Sequence, residues 1–94
     1  LSAALTFLYH TKVISLGDLV MKMSINPQRI LGVKDFAVVK EGIEANFCLV
    51  DINREWTVTR EELHSLSRNS CFLNHTLKGK VTATVCRGTL YKFN

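Results

Sequence analysis

The period of the hydrophobic positions changes part-way along the chain, and the change divides it. In residues 1–13, Leu1, Ala4, Leu5 and Leu8 recur at helical spacing, and Ala3, Phe7 and Tyr9 fill much of the remaining surface. A helix apolar almost all round belongs in the core of a body larger than 94 residues readily provide. "SLGDLVMKMS" predicts a second helix. Ser15 is its cap, Asp18 completes a capping-box-like pair, and Leu16, Leu19, Val20 and Met23 form the i, i+3, i+4, i+7 stripe. "SINPQRILGV", residues 24–33, reads as a turn and then a short helix. Ser24 or Asn26 would cap it, Pro27 would take the first helical position, and Gly32 would stop it.

From Lys34 onward the period is that of strands. "FAVVKEG" predicts a short strand and a turn at Glu41 and Gly42. "NFCLVD" carries Phe47, Cys48, Leu49 and Val50 in succession, as a strand buried on both faces would. "EWTV" is a short β-prone run. Thr59 and Glu62 then make a capping box, which predicts one short helix near 59–66. "SRNSCFLNH" is loop-like. "KVTATVCRGTLYKF" predicts a hairpin, with Val81, Ala83 and Val85 alternating and Arg87–Gly88 at the turn, although Arg suits the left-handed turn conformation poorly.

Composition narrows the class. Hydrophobic residues make up 47% of the chain, which marks a folded rather than a disordered protein. The net charge of +4 comes from scattered basic residues, of which only Lys78 and Lys80 sit close together. Without a basic stripe and interleaved aromatics, no nucleic-acid partner is expected. Three cysteines, Cys48, Cys71 and Cys86, are an odd number without a CxxC pair, so a reducing, cytoplasmic location is expected. The apolar start "LSAALTFLYH" is too short to span a bilayer and has no basic flank, so no membrane partner is expected either.

The residues that could carry chemistry each have a plainer explanation. His10, His64 and His75 lack metal-ligand spacing, and the first two suit the ends of the helices expected around them. Cys71 and His75 are four apart in a loop with no orienting carboxylate evident. Glu61 and Glu62 lie where a first helical turn favours negative charge. Gly42 and Gly88 are turn glycines rather than a phosphate cradle, and Trp56 is expected to be buried between a small sheet and the "REEL" helix. No catalytic, substrate-binding or metal-ligating residue is assigned.

The order of the pieces says more than any one of them. "MSINPQRILGV", "GIEANFCLVD", "REWTVTREELHSLSRNSCF" and "TLKGKVTATVCRGTLY" together resemble the C-terminal end of a dihydroorotase, in the amidohydrolase class related to hydantoinases and allantoinases. The resemblance runs from about Leu1 to Tyr91. "NPxRILG" and "GxxxxxLVD" occur across many amidohydrolases, whereas the "EWTV…SxSRNSxF…TLKGKV" run leans towards dihydroorotase. An allantoinase or hydantoinase remains an alternative. The chain departs from the family pattern at Glu44, Ala45 and Asn46 (usually DAD), at Cys71 (usually Pro) and at Asn74 and His75 (usually Gly-Trp).

The resemblance implies an α+β fragment. Residues 1–33 would be the last helices of a (β/α)8 metal-dependent hydrolase barrel, and residues 34–94 the C-terminal strands of a small composite β-sandwich. It also implies a zinc-dependent cyclic amide hydrolase that interconverts carbamoyl-aspartate and dihydroorotate in pyrimidine biosynthesis. The family's metal ligands all precede the segment matching Leu1, so no zinc is expected on these residues and these 94 alone are expected to be inactive. The implied partner is the upstream barrel portion of the same protein, with a homodimer or an aspartate transcarbamoylase complex beyond it. A dihydroorotase-like chain that has lost its ligands and serves aspartate transcarbamoylase as a non-catalytic partner is the second alternative. The uncapped apolar first helix, the start at Leu1 and the strands short of partners lead to the expectation of a longer parent chain.

Overall fold

The computed structural model describes residues 1–34 and 38–93. Helix α1 covers residues 2–9, where an α-helical turn, Ser2–Ala4, widens into a π-helical turn, Leu5–Tyr9. It stops short of the predicted residue 13 because Lys12 turns the backbone to a φ of 63°. Helix α2 covers residues 16–31. Strands β1 (Phe47–Thr57), β2 (Thr76–Cys86) and β3 (Thr89–Lys92) form one antiparallel sheet in the order β1-β2-β3.

The cap of α2 is as the sequence predicts. Ser15 Oγ accepts the Asp18 N–H at 3.1 Å, and Asp18 Oδ2 accepts the Ser15 N–H at 3.4 Å. The predicted turn at Ser24–Asn26 does not form, and the helix continues to Leu31 before Gly32 ends it at a φ of 68°. Pro27 therefore lies within a continuous helix, one residue into the α-helical stretch Asn26–Leu31. It has no N–H to donate, and its ring crowds the carbonyl one turn back. The π-helical turn Met21–Ile25 directly before it opens the backbone there, and the Asn26 N–H reaches back to the Met21 carbonyl. Ser24, rather than capping, accepts a hydrogen bond from Gln28 Nε2 at 3.2 Å within the helix.

β1 joins the two predicted runs "NFCLVD" and "EWTV" into one strand. The join is irregular: Asp51 pairs with Lys80 and Glu55 with Lys78, so Ile52, Asn53 and Arg54 bulge opposite Gly79 alone. Asp51 Oδ1 steadies the bulge by accepting the N–H groups of Asn53 and Arg54 at 3.0 and 3.1 Å. β1 is not buried on both faces as expected. Leu49 is 51% exposed and Cys48 is exposed, because β1 is an edge strand with β2 as its one described neighbour.

α1 packs on β2 at Gly79. A Cβ at residue 79 would fall 2.4 Å from Leu5 Cδ1, and the Gly79 φ of 106° is one that residues with side chains avoid. Two polar contacts lock this approach. The Thr6 hydroxyl accepts the Lys78 N–H at 2.8 Å and donates to the Ser2 carbonyl at 2.8 Å. His10 Nε2 donates to the carbonyl of Ile52, in the bulge, at 2.6 Å. Leu5, Leu77 and Ala83 are buried, as are Val58 at the end of the sheet and Leu19 on α2. That is a small core. The radius of gyration, 14.5 Å, exceeds the about 12 Å of a compact chain this long. Leu16, Val20, Met23, Ile30 and Leu31 on α2 all remain exposed.

The helix predicted near 59–66 is absent; the chain makes one turn at residues 60–62 and then extended and bent backbone. The capping box fails because Glu62 reaches Lys80 instead of the Thr59 N–H. The following Ser65, Ser67 and Asn69 have weak helix propensity, and Leu66 finds nothing apolar to cover it. The strand predicted in "FAVVKEG" falls partly on residues 35–37, outside the described residues; residues 38–40 are not in a strand. The hairpin forms as predicted. Arg87 and Gly88 have φ of 48° and 76°, the two positive values of a type I′ turn. Asn46 Oδ1 accepts the Arg87 N–H at 2.9 Å, and the Ala45 carbonyl accepts the Gly88 N–H at 3.0 Å.

Stability outcomes follow from this packing, each read on the longer parent protein. Gly79→Ala adds a backbone penalty to an overpacked contact and should cost about 2–6 kcal/mol by denaturant titration. Combining it with Leu5→Ala should cost less than the sum of the single changes, since the smaller side chain relieves the clash. Arg87→Asn puts a residue that tolerates the left-handed turn at the hairpin tip and should stabilise by about 0.5–1 kcal/mol, read as a raised midpoint. A midpoint lowered by Arg87→Asn would contradict this account of the turn.

Candidate functional site

Two concave surfaces stand out. One, of about 270 Å³, is lined by Glu61, Glu62, His64, Lys92 and Phe93. It lies against the excursion between β1 and β2, whose ends are pinned where the Val58 N–H donates to the His75 carbonyl and the Asn74 N–H to the Val58 carbonyl. The other, of about 340 Å³, is mainly apolar and is lined by Val38, Val39, Lys40, Glu41, Ile43, Ala45 and Phe47.

Glu62, in the first concavity, is paired within the chain. Lys80 Nζ lies 2.6 Å from Glu62 Oε2 and 5.2 Å from the centre of the Trp56 ring. Trp56 in turn donates its Nε1–H to the Gly79 carbonyl at 3.0 Å. Trp56 is half-buried, with the Lys80 ammonium over its ring and no "REEL" helix formed to cover it. The hydrogen bond from Lys80, and then its charge, lower the Glu62 carboxyl below its usual 4.5. Glu61 is lowered first by a backbone N–H and then by the Thr59 hydroxyl, with Arg68 and Arg60 adding to this. A general acid at neutral pH needs the opposite shift. The arrangement ties the excursion to the sheet, and neither lowered carboxyl suits a proton donor.

The histidines are dispersed. His10 holds the β1 bulge. His64 packs its ring 5.1 Å from that of Phe93, and His75 meets Phe72 edge-on at 6.3 Å. Cys48, Cys71 and Cys86 are free, exposed thiols, and among the described residues no carboxylate hydrogen-bonds His75. Among the described residues no group of three or more His, Cys, Asp or Glu side chains converges as metal ligands. No helix formed by the described residues is long and apolar enough to cross a membrane. The residues that hold the structure at this site, Thr6, Gly79 and Lys80, were not singled out by sequence reasoning for these roles. The isolated glycine within "LKGKV" was the one signal available, because a glycine inside a strand pattern marks a bulge or a close backbone approach.

The Glu62–Lys80 pair gives a pH dependence with a definite sign. Glu62 is more acidic folded than unfolded, so its contribution is present above about pH 4.5 and is lost as pH falls through the lower, folded value. Glu62→Gln should flatten the stability profile in that acid range and leave its neutral-to-alkaline shape unchanged, as read by denaturation midpoints of the longer parent protein across pH. Trp56→Phe keeps an aromatic ring but leaves the Gly79 carbonyl without its donor. It should cost about 1–3 kcal/mol, and a cost near zero would show that solvent replaces the indole N–H.

No protein-family profile matches the chain. Individual curated relatives do. A dihydroorotase of Elusimicrobium minutum is 38% identical over 78 residues, 83% of this chain and 18% of that protein. The dihydroorotase of Aquifex aeolicus is 40% identical over 83 residues, 88% of this chain and 19% of that protein. That of Caldicellulosiruptor saccharolyticus is 33% identical over 91 residues, 97% of this chain and 21% of that protein. The chain therefore spans about one fifth of the length of the curated relatives it matches. These three relatives, each similar to the chain over more than four-fifths of its residues, are dihydroorotases.

Proposed function

We propose that the chain is the C-terminal structural part of a dihydroorotase, the zinc-dependent hydrolase that interconverts carbamoyl-aspartate and dihydroorotate in pyrimidine biosynthesis. The observation that carries this is the identity of 33–40% to proteins of that name along nearly the whole chain. The same identity favours dihydroorotase over allantoinase or hydantoinase. Residues 1–33 are read as the last helices of the barrel and residues 34–94 as part of the composite sandwich. The exposed apolar residues of α2 and the edges of β1 and β3, unpaired among the described residues, support this division, since each is a surface that a neighbouring element would cover.

Zinc, where the whole enzyme binds it, supplies an activated water for opening the cyclic amide. The described residues of this chain do not fit that role. His10, His64 and His75 make three separate protein contacts, and Glu62 of the first concavity is already paired with Lys80. The chain's own contribution is therefore positional. It completes the wall of the parent's barrel through α1 and α2 and fixes that wall to the sheet through Leu5, Thr6 and His10. Its partner is the upstream portion of the same cytoplasmic protein, and a homodimer or an aspartate transcarbamoylase complex is read as a further level of assembly.

The test is to produce the 94 residues and the upstream portion separately and then mix them. The chain alone should bind no stoichiometric zinc after dialysis, should turn over no dihydroorotate and should self-associate. Activity and a monodisperse state should appear on mixing. A monomeric, cooperatively unfolding chain that ignores the upstream portion would overturn the reading. The upstream coding sequence separates the two dihydroorotase-type readings: an HxH pair marks an active enzyme, and its absence marks a non-catalytic partner of aspartate transcarbamoylase.

A further inference from the structure

We draw no further inference here: the strongest candidate, the exposed apolar surface of α2 from Leu16 through Val20 and Met23 to Leu31, belongs to the reading already proposed, and nothing in the structure shows any other partner that would cover it.

Discussion

Leu5 occupies its place only because residue 79 has no side chain. The helix approaches the strand so closely that a single methyl group on Gly79 would overlap the leucine. Several other features meet at this approach. The φ of 106° at Gly79 lies opposite the three-residue bulge of β1, and the bulge turns the Ile52 carbonyl to where His10 can donate to it. The Gly79 carbonyl takes the Trp56 indole N–H, and Trp56 carries Lys80 over its ring. Helix docking, strand irregularity and the tether of the β1–β2 excursion are therefore parts of one constraint.

That constraint explains why a chain with so few buried side chains holds a defined shape. Apolar burial is confined to a few side chains among the described residues: Leu5 on α1, Leu77 and Ala83 on β2, Val58 and Leu19. The orientation is fixed by directional bonds from Thr6 and His10, which tolerate little sliding. α2 has no comparable anchorage. Leu19 is its one buried apolar side chain, while the rest of its stripe faces outward. The joint between helices and sheet is rigid at α1, and the apolar surface that a larger assembly would use is displayed on α2.

The charged residues follow the same division. Lys80 and Glu62 pair across the sheet and its excursion, and the two lowered carboxyls face solvent. Exposed pairs of this kind add little to stability, so their effect is to choose one path for the excursion over others. A capping box for a helix at 59–66 and an ion pair to Lys80 both require Glu62, and the structure has the ion pair. The shifts lower both carboxyls, the direction opposite to the one a proton donor at neutral pH needs.

The sequence by itself determined whatever depends on near neighbours along the chain. The Ser15–Asp18 cap, the stop at Gly32 and the Arg87–Gly88 hairpin were legible because caps and turns are set by a few residues and their own backbone. The motif order that resembles dihydroorotases was legible for the same reason, as a linear pattern. Tertiary structure decided the rest. The fate of Pro27 depended on a π-helical turn that no residue preference announces, and the fate of the 59–66 segment on a lysine 18 positions beyond Glu62. Gly79 marked a close approach in the sequence, but not what approached. Leu5 lies 74 residues away from it, and no pattern confined to a local window couples positions that far apart.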